Sequence, residues 1–249
     1  MRGGLWSLMS KDFIASLAKG ARGGGARLMS RQVEAGGEVF TCQVAAPPEG
    51  APPAGGGPPV IVFLHGIRER GSGGYVPTEG AAGALARGLL GQVPAVVLLP
   101  QCRPGSYWSD PLMDEMVTNA LRQAAEEFGA DAARFYLAGV SMGGYGVWSL
   151  ASRHAGRFAA LVSLCGGSPL QSGERFRSVA RAVGPVPAWL FHGAEDRVVP
   201  VEESRRMAEA MREQGGELRY SEYPGVGHDV WTRVLTEREL MPWLLSKRL

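Results

Sequence analysis

The feature that most constrains this chain is a repeated change of period. From residue 60 onward, short and mostly apolar runs alternate with longer stretches whose apolar residues recur at helical spacing. The runs predict strands at Val60–Leu64, Ala95–Pro100, Arg134–Ala138, Ala159–Leu164, Ala188–Phe191 and Leu218–Tyr223. The stretches between them predict helices at Gly80–Leu90, Pro111–Phe128, Gly143–Arg153 and Glu202–Gln214. A strand apolar on both faces must be covered on both sides, and amphipathic helices supply the cover. The fold class is therefore α/β, a mostly parallel central sheet with helices on both faces. Upstream, Arg31–Val33 and Glu38–Ala45 read as two short strands around the turn Ala35-Gly-Gly37, and residues 46–59 as a Pro/Gly-rich surface loop. Residues 232–245 read as one closing helix that Pro242 ends or bends.

A length of 249 residues suits one such domain. The expected organisation is an extension over residues 1–29 and one domain over 30–249. Within the extension, Leu5, Trp6, Leu8, Met9, Phe13, Ile14 and Leu17 recur at roughly helical spacing, flanked by Lys11 and Lys19. That pattern fits an amphipathic helix on a membrane surface or on the domain, a transit-like leader, or a dispensable segment. It lacks the uninterrupted apolar stretch of a secretory signal, and no segment reaches the about 18 apolar residues of a spanning helix. Twenty-six basic residues are scattered among 24 acidic ones, for a net charge of +2, so no basic stripe marks a nucleic-acid partner. Cys42, Cys102 and Cys165 form no CxxC pair and read as buried free thiols, with a Cys42–Cys102 disulfide as the alternative. Free thiols favour a reducing compartment, hence a cytoplasmic location.

Residues 139–143 read Gly-Val-Ser-Met-Gly, preceded by an apolar strand and followed by a helical stretch. A serine held in a sharp strand-to-helix turn needs small neighbours two positions away on each side, and Gly139 and Gly143 supply them. Ser141 is thus the candidate nucleophile, and a serine hydroxyl needs a base within reach. Of four histidines, His65 and His192 each end an apolar strand as a His-Gly pair, which suits local hydrogen bonding. His154 ends a helix, where a cation is favoured. His228, in the loop Gly225-Val-Gly-His228-Asp, has no evident local task and is the candidate base. The acid that orients it is expected between the two in sequence, at a strand end. Asp196 fits, with Glu195 as the alternative, and Asp229 reads as a loop residue.

Charge that develops on an attacked carbonyl oxygen calls for two backbone N–H donors. The amide of Met142 is one, and the amide of Ile67, after Gly66, is the other. Arg68 and Glu69 brace that loop, or Arg68 touches substrate. Trp108, with Tyr107 and Pro111, is expected to line a pocket, and Trp231 is a second lining candidate. No long insertion follows the nucleophile, so no large lid is expected. The segment Gln171–Val186 has room for a small helical cap.

Several motifs carry a family likeness. They are Phe63-Leu-His-Gly66 with Glu69-Arg-Gly71, Pro100-Gln-Cys102 with Trp108, Gly139-Val-Ser-Met-Gly-Gly144, Trp189-Leu-Phe-His-Gly-Ala-Glu-Asp196 and Tyr223-Pro-Gly-Val-Gly-His-Asp-Val-Trp231. Together they resemble the α/β-hydrolase superfamily. More narrowly, the chain resembles bacterial esterases described as predicted peptidases, related to polyhydroxybutyrate depolymerase-like and dienelactone-hydrolase-like enzymes. The resemblance runs from about residue 30 to the end. It implies a serine carboxylesterase with no metal or organic cofactor, in which Ser141, Asp196 and His228 are catalytic and the Ile67 and Met142 amides form the oxyanion hole. The expected substrate is a small ester with a short acyl or an aryl group. Alternatives are an aminopeptidase or amidase, an acetyl or feruloyl esterase of polysaccharides, and a non-catalytic binding module.

Overall fold

The computed structural model describes residues 28–47, 56–73, 93–172 and 174–249. The expected helix at 80–90 and nearly all of the expected N-terminal extension lie outside the described residues. Strand β1 (Leu28–Ala35) pairs antiparallel with β2 (Glu38–Ala45), and β2 with β4 (Val96–Pro100). The first strand begins at Leu28, so regular structure starts ahead of the expected domain boundary at residue 30.

From there the pairing is parallel. Strands β3 (Val60–Leu64), β5 (Phe135–Val140), β6 (Ala160–Leu164), β7 (Ala188–Gly193) and β8 (Leu218–Tyr223) join β4, and the order across the sheet is β1-β2-β4-β3-β5-β6-β7-β8. Side chains alternate between the two faces of each strand. Within β3, Val60, Val62 and Leu64 enter one core, while Ile61 and Phe63 enter the other. An apolar residue at every position is therefore what a strand covered on both faces requires.

Helices α1 (Pro111–Phe128), α2 (Met142–Arg153), α3 (Arg175–Val183) and α4 (Glu202–Arg212) cover the first face through residues such as Met116, Trp148, Val179 and Met207. Pro111 opens α1, where its missing N–H costs nothing, and Gly129 closes it in the left-handed conformation at φ 59°. Two short helices, α5 (Trp231–Val234) and α6 (Leu240–Leu245), cover the second face with Val234, Leu240, Trp243 and Leu244.

Two expectations fail here. The closing segment is two helices, and its break falls at residues 235–239 rather than at Pro242, which lies in the first turn of α6. A proline there forgoes only an N–H that has no intrahelical acceptor. The segment between β6 and β7 does not form a cap. Its helix α3 sends Phe176, Val179, Ala180 and Val183 into the core beside α2 and α4. Other strand and helix ends differ from expectation by a few residues, as fraying ends do. Cys42, Cys102 and Cys165 are buried and free, as read from the sequence. Among the described residues no helix is long and apolar enough to cross a membrane.

Candidate active site

Strand β5 ends at Val140 and α2 begins at Met142, so Ser141 alone makes the turn. It holds φ 55° and ψ −117°, a conformation an L-residue adopts only under constraint from its surroundings. The constraint is visible in the two glycines. A Cβ on Gly139 would lie 2.3 Å from the carbonyl oxygen of Gly143, and one on Gly143 would lie 2.0 Å from that of Leu64. No other residue fits either place. The Ser141 amide is fixed from the end of β6, donating to Leu164 O at 2.9 Å.

The three residues singled out in sequence meet there. His228 Nε2 lies 2.9 Å from Ser141 Oγ, and His228 Nδ1 lies 2.7 Å from Asp196 Oδ2. A carboxylate only accepts, so Nδ1 carries the proton and Nε2 faces the hydroxyl with a free lone pair. Asp196 is itself held: its Oδ1 accepts from the amides of Val198 at 2.8 Å and Val199 at 2.9 Å. Glu195 is exposed, which decides between the two acids, and Asp229 is an exposed loop residue whose carbonyl accepts from Thr232.

The loop after β3 lies against the nucleophile. A Cβ on Gly66 would be 3.7 Å from Ser141 Cβ, so the short 3₁₀ turn Ile67–Glu69 starts beside the hydroxyl. Met142 is the first residue of α2, where an N–H has no intrahelical carbonyl to meet. The expected oxyanion donors thus sit on the two segments that border Ser141. Arg68 is exposed, whereas Glu69 is buried with its carboxylate against Gly66.

The other histidines have structural tasks. His65 Nδ1 donates to Gly66 O at 2.6 Å, and its Nε2 accepts from the Cys102 amide at 3.0 Å. It ties the loop after β3 to the loop after β4. Burial pushes its pKa down to about 4, which keeps the ring neutral and the acceptor available. His154, at the end of α2, bonds Asp114 Oδ1 at 2.5 Å. His192 is fully buried and stands 3.3 Å from Asp196 Oδ2, a contact its strand-end position alone does not foretell.

Trp108 is not a pocket residue. Its side chain is 0 % exposed, packs against α2 at Gly146, and donates from Nε1 to His65 O at 2.9 Å. Apolar area drives it inward and the His65 carbonyl satisfies its one polar atom. Its neighbour Tyr107 is 51 % exposed, with the Arg70 guanidinium over its ring. Trp231 is partly exposed and meets His228 edge to face, with ring centroids 6.1 Å apart. Cys165, buried and at φ 38°, groups its sulfur with donor atoms of Asp196 and His228. Two of the three, Asp196 and His228, are already engaged with each other.

Comparison with known proteins agrees with this arrangement. The model of the dienelactone hydrolase family matches residues 107–233. Over 53 residues the chain is 38% identical to acyl-protein thioesterase 1 of Gibberella zeae, covering 21% of this chain and 23% of that protein. A thermostable esterase of known structure superposes with a TM-score of 0.70 at 28% identity, covering 89% of this chain and 63% of its own. The feruloyl esterase module from Clostridium thermocellum, solved with sinapinate, superposes with a TM-score of 0.71 at 13% identity, covering 91% and 90%. The chain thus spans less than two thirds of the thioesterase and of the thermostable esterase. Strand order, the strained serine turn and the family match agree: this chain belongs to the dienelactone hydrolase family and has the α/β-hydrolase fold, with a serine at the nucleophile position.

Proposed function

We propose that the protein is a serine carboxylesterase that cleaves short-chain acyl or aryl esters through an acyl-enzyme intermediate. The observation that carries this reading is the continuous relay from Asp196 Oδ2 through His228 to Ser141 Oγ, at 2.7 and 2.9 Å. His228 Nε2 takes the hydroxyl proton as Ser141 Oγ bonds to the ester carbonyl carbon. Asp196 stabilises the imidazolium and keeps it oriented. The Ile67 and Met142 amides receive the oxyanion. Collapse expels the alcohol, which takes the proton from His228, and water repeats the sequence to release the acid.

Support for a small substrate comes from what surrounds the serine. The segment between β6 and β7, which had room for a cap, is instead packed into the core. Exposed Ile67, Tyr107 and Val198 sit on three of the loops that leave the same sheet edge, and they suit the apolar part of a compact ester. Esters are favoured over amides because an alkoxide leaves without prior protonation of a nitrogen.

The test is hydrolysis of p-nitrophenyl esters from acetate to palmitate by the wild type and by Ser141→Ala. Cleavage that peaks at short chains and falls by about 10⁴–10⁶ in kcat in the variant is expected. Rates that keep rising to palmitate would overturn the small-substrate reading. Aminoacyl anilides cleaved as fast as esters would replace the esterase by an amidase.

A further inference from the structure

The buried His192 has no place in the proton relay, yet it touches the acid of that relay. It ends β7, with Nδ1 2.7 Å from Ser204 Oγ of α4 and Nε2 3.0 Å from Val199 O. A carbonyl only accepts, so Nε2 carries the proton and points into the turn of residues 196–199. Asp196 Oδ2 is 3.3 Å from the same nitrogen. Asp196 Oδ1 is already occupied by the Val198 and Val199 amides. The turn is therefore gripped from within by its own carboxylate and from beneath by one imidazole, leaving Oδ2 facing His228.

We propose that His192 is a positioning residue of this site, which fixes the 196–199 turn so that Asp196 Oδ2 stays aligned on His228 Nδ1. The inference rests on the esterase reading above. Its parts come from three elements: β7 supplies the ring, the loop after it supplies Asp196 and Val199, and α4 supplies Ser204. Ser204 Oγ is also 3.2 Å from Gly166 O, at the loop after β6. The ionisable groups around the ring are Asp196, His228 across it, and Glu222, its register partner on β8, which is bonded to Arg205 and Tyr220. Burial lowers the His192 pKa, so the ring is neutral and its single N–H is committed to the turn.

The test compares His192→Leu, which removes the donor, with His192→Gln, whose amide nitrogen reaches the Nε2 position. Rates are taken per active site, counted by diethyl p-nitrophenyl phosphate. The leucine variant is expected to lose about 10- to 100-fold in kcat at unchanged KM, the scale of a small misplacement of a catalytic group. The acid limb of its pH profile should move to lower pH, because a poorly aligned Asp196 stabilises the His228 imidazolium less. The glutamine variant should restore both. Where the leucine variant does not fold, glutamine against His192→Asn gives the same contrast, since the shorter amide does not reach Val199 O. The downfield NMR resonance of the His228 Nδ1 proton reads the Asp196–His228 alignment whether or not an ester is turned over. It should be lost in the leucine or asparagine variant and kept in the glutamine one. A variant that only melts earlier, with unchanged kcat per site, pH limb and Nδ1 resonance, would overturn the proposal.

Discussion

Two buried aspartates at opposite ends of the parallel sheet show how the same side chain serves two ends. Asp131 precedes β5 and is 7 % exposed, while Asp196 follows β7 and is 9 % exposed. Asp131 meets only permanent donors. Its Oδ2 takes the Arg134 guanidinium at 3.0 Å and that of Arg248 at 2.6 Å, and its Oδ1 takes the Ala133 amide. It fastens the chain's last residues to the sheet, with help from Tyr136 donating to Lys247 O and Leu249 N donating to Ala133 O. Asp196 meets two amides and then a histidine, a partner that can gain and lose a proton. The amino ends of the strands lock the fold, and the carboxyl ends hold groups that change charge, which is where open α/β sheets place their sites.

That contrast breaks first at Asp196. Replacing it by Asn should lower kcat on p-nitrophenyl acetate by about 10⁴, because the amide favours the wrong tautomer of His228. A loss under tenfold would show that the second aspartate is as structural as the first. The next effect concerns the loop after β3. Gly66 is extended, at φ −77° and ψ −178°, and Ile67 opens a 3₁₀ turn, so Ile67→Pro suits the backbone and deletes the N–H while keeping an apolar side chain. A drop of about 10²–10³ in kcat is expected for a lost oxyanion donor. Full activity would remove that amide from the mechanism.

At the other end, Asp131→Asn should leave kcat/KM unchanged and cost about 1–3 kcal/mol on thermal unfolding, as for a buried polar group that loses charged partners. Acid sharpens the same difference. Burial raises the Asp131 pKa, but the Ala133 amide and the Arg248 and Arg134 guanidiniums more than reverse that, so it lies below the ordinary value. Its contribution is present above the unfolded carboxyl's pKa of about 3.9 and fades as pH falls through the folded value. His65, held down to about 4 against about 6.5 when unfolded, acts earlier. Its share is full above about 6.5 and is lost progressively down to about 4. Unfolding followed across pH should therefore show two declines, and Asp131→Asn should flatten only the lower one.

Much of this was legible in the chain because its causes are local. Runs apolar at every position specify strands covered on both faces, and Gly139 and Gly143 specify a turn too tight for any other residue. The order of serine, acid and histidine then follows from where such strands end. His228 could be separated from His65 and His192 because the other two end apolar strands, where a neighbouring carbonyl or hydroxyl is at hand.

The rest depends on what the sheet order brings together, which no local pattern encodes. Ser141 and His228 are 87 positions apart and meet because β5, β6, β7 and β8 lie side by side in register. Trp108 looks like a pocket wall in sequence, but packing places it under the loop after β3, where His65 O completes its one hydrogen bond. The helix between β6 and β7 has the length of a cap, yet its four buried apolar residues find a core between α2 and α4. His192 reads as one more strand-end histidine until the 196–199 turn folds over it. Periodicity fixes which elements form, because it depends on neighbours in the chain. The partner of each side chain was decided only by the tertiary structure, because burial and hydrogen bonding are settled between strands and helices distant in sequence.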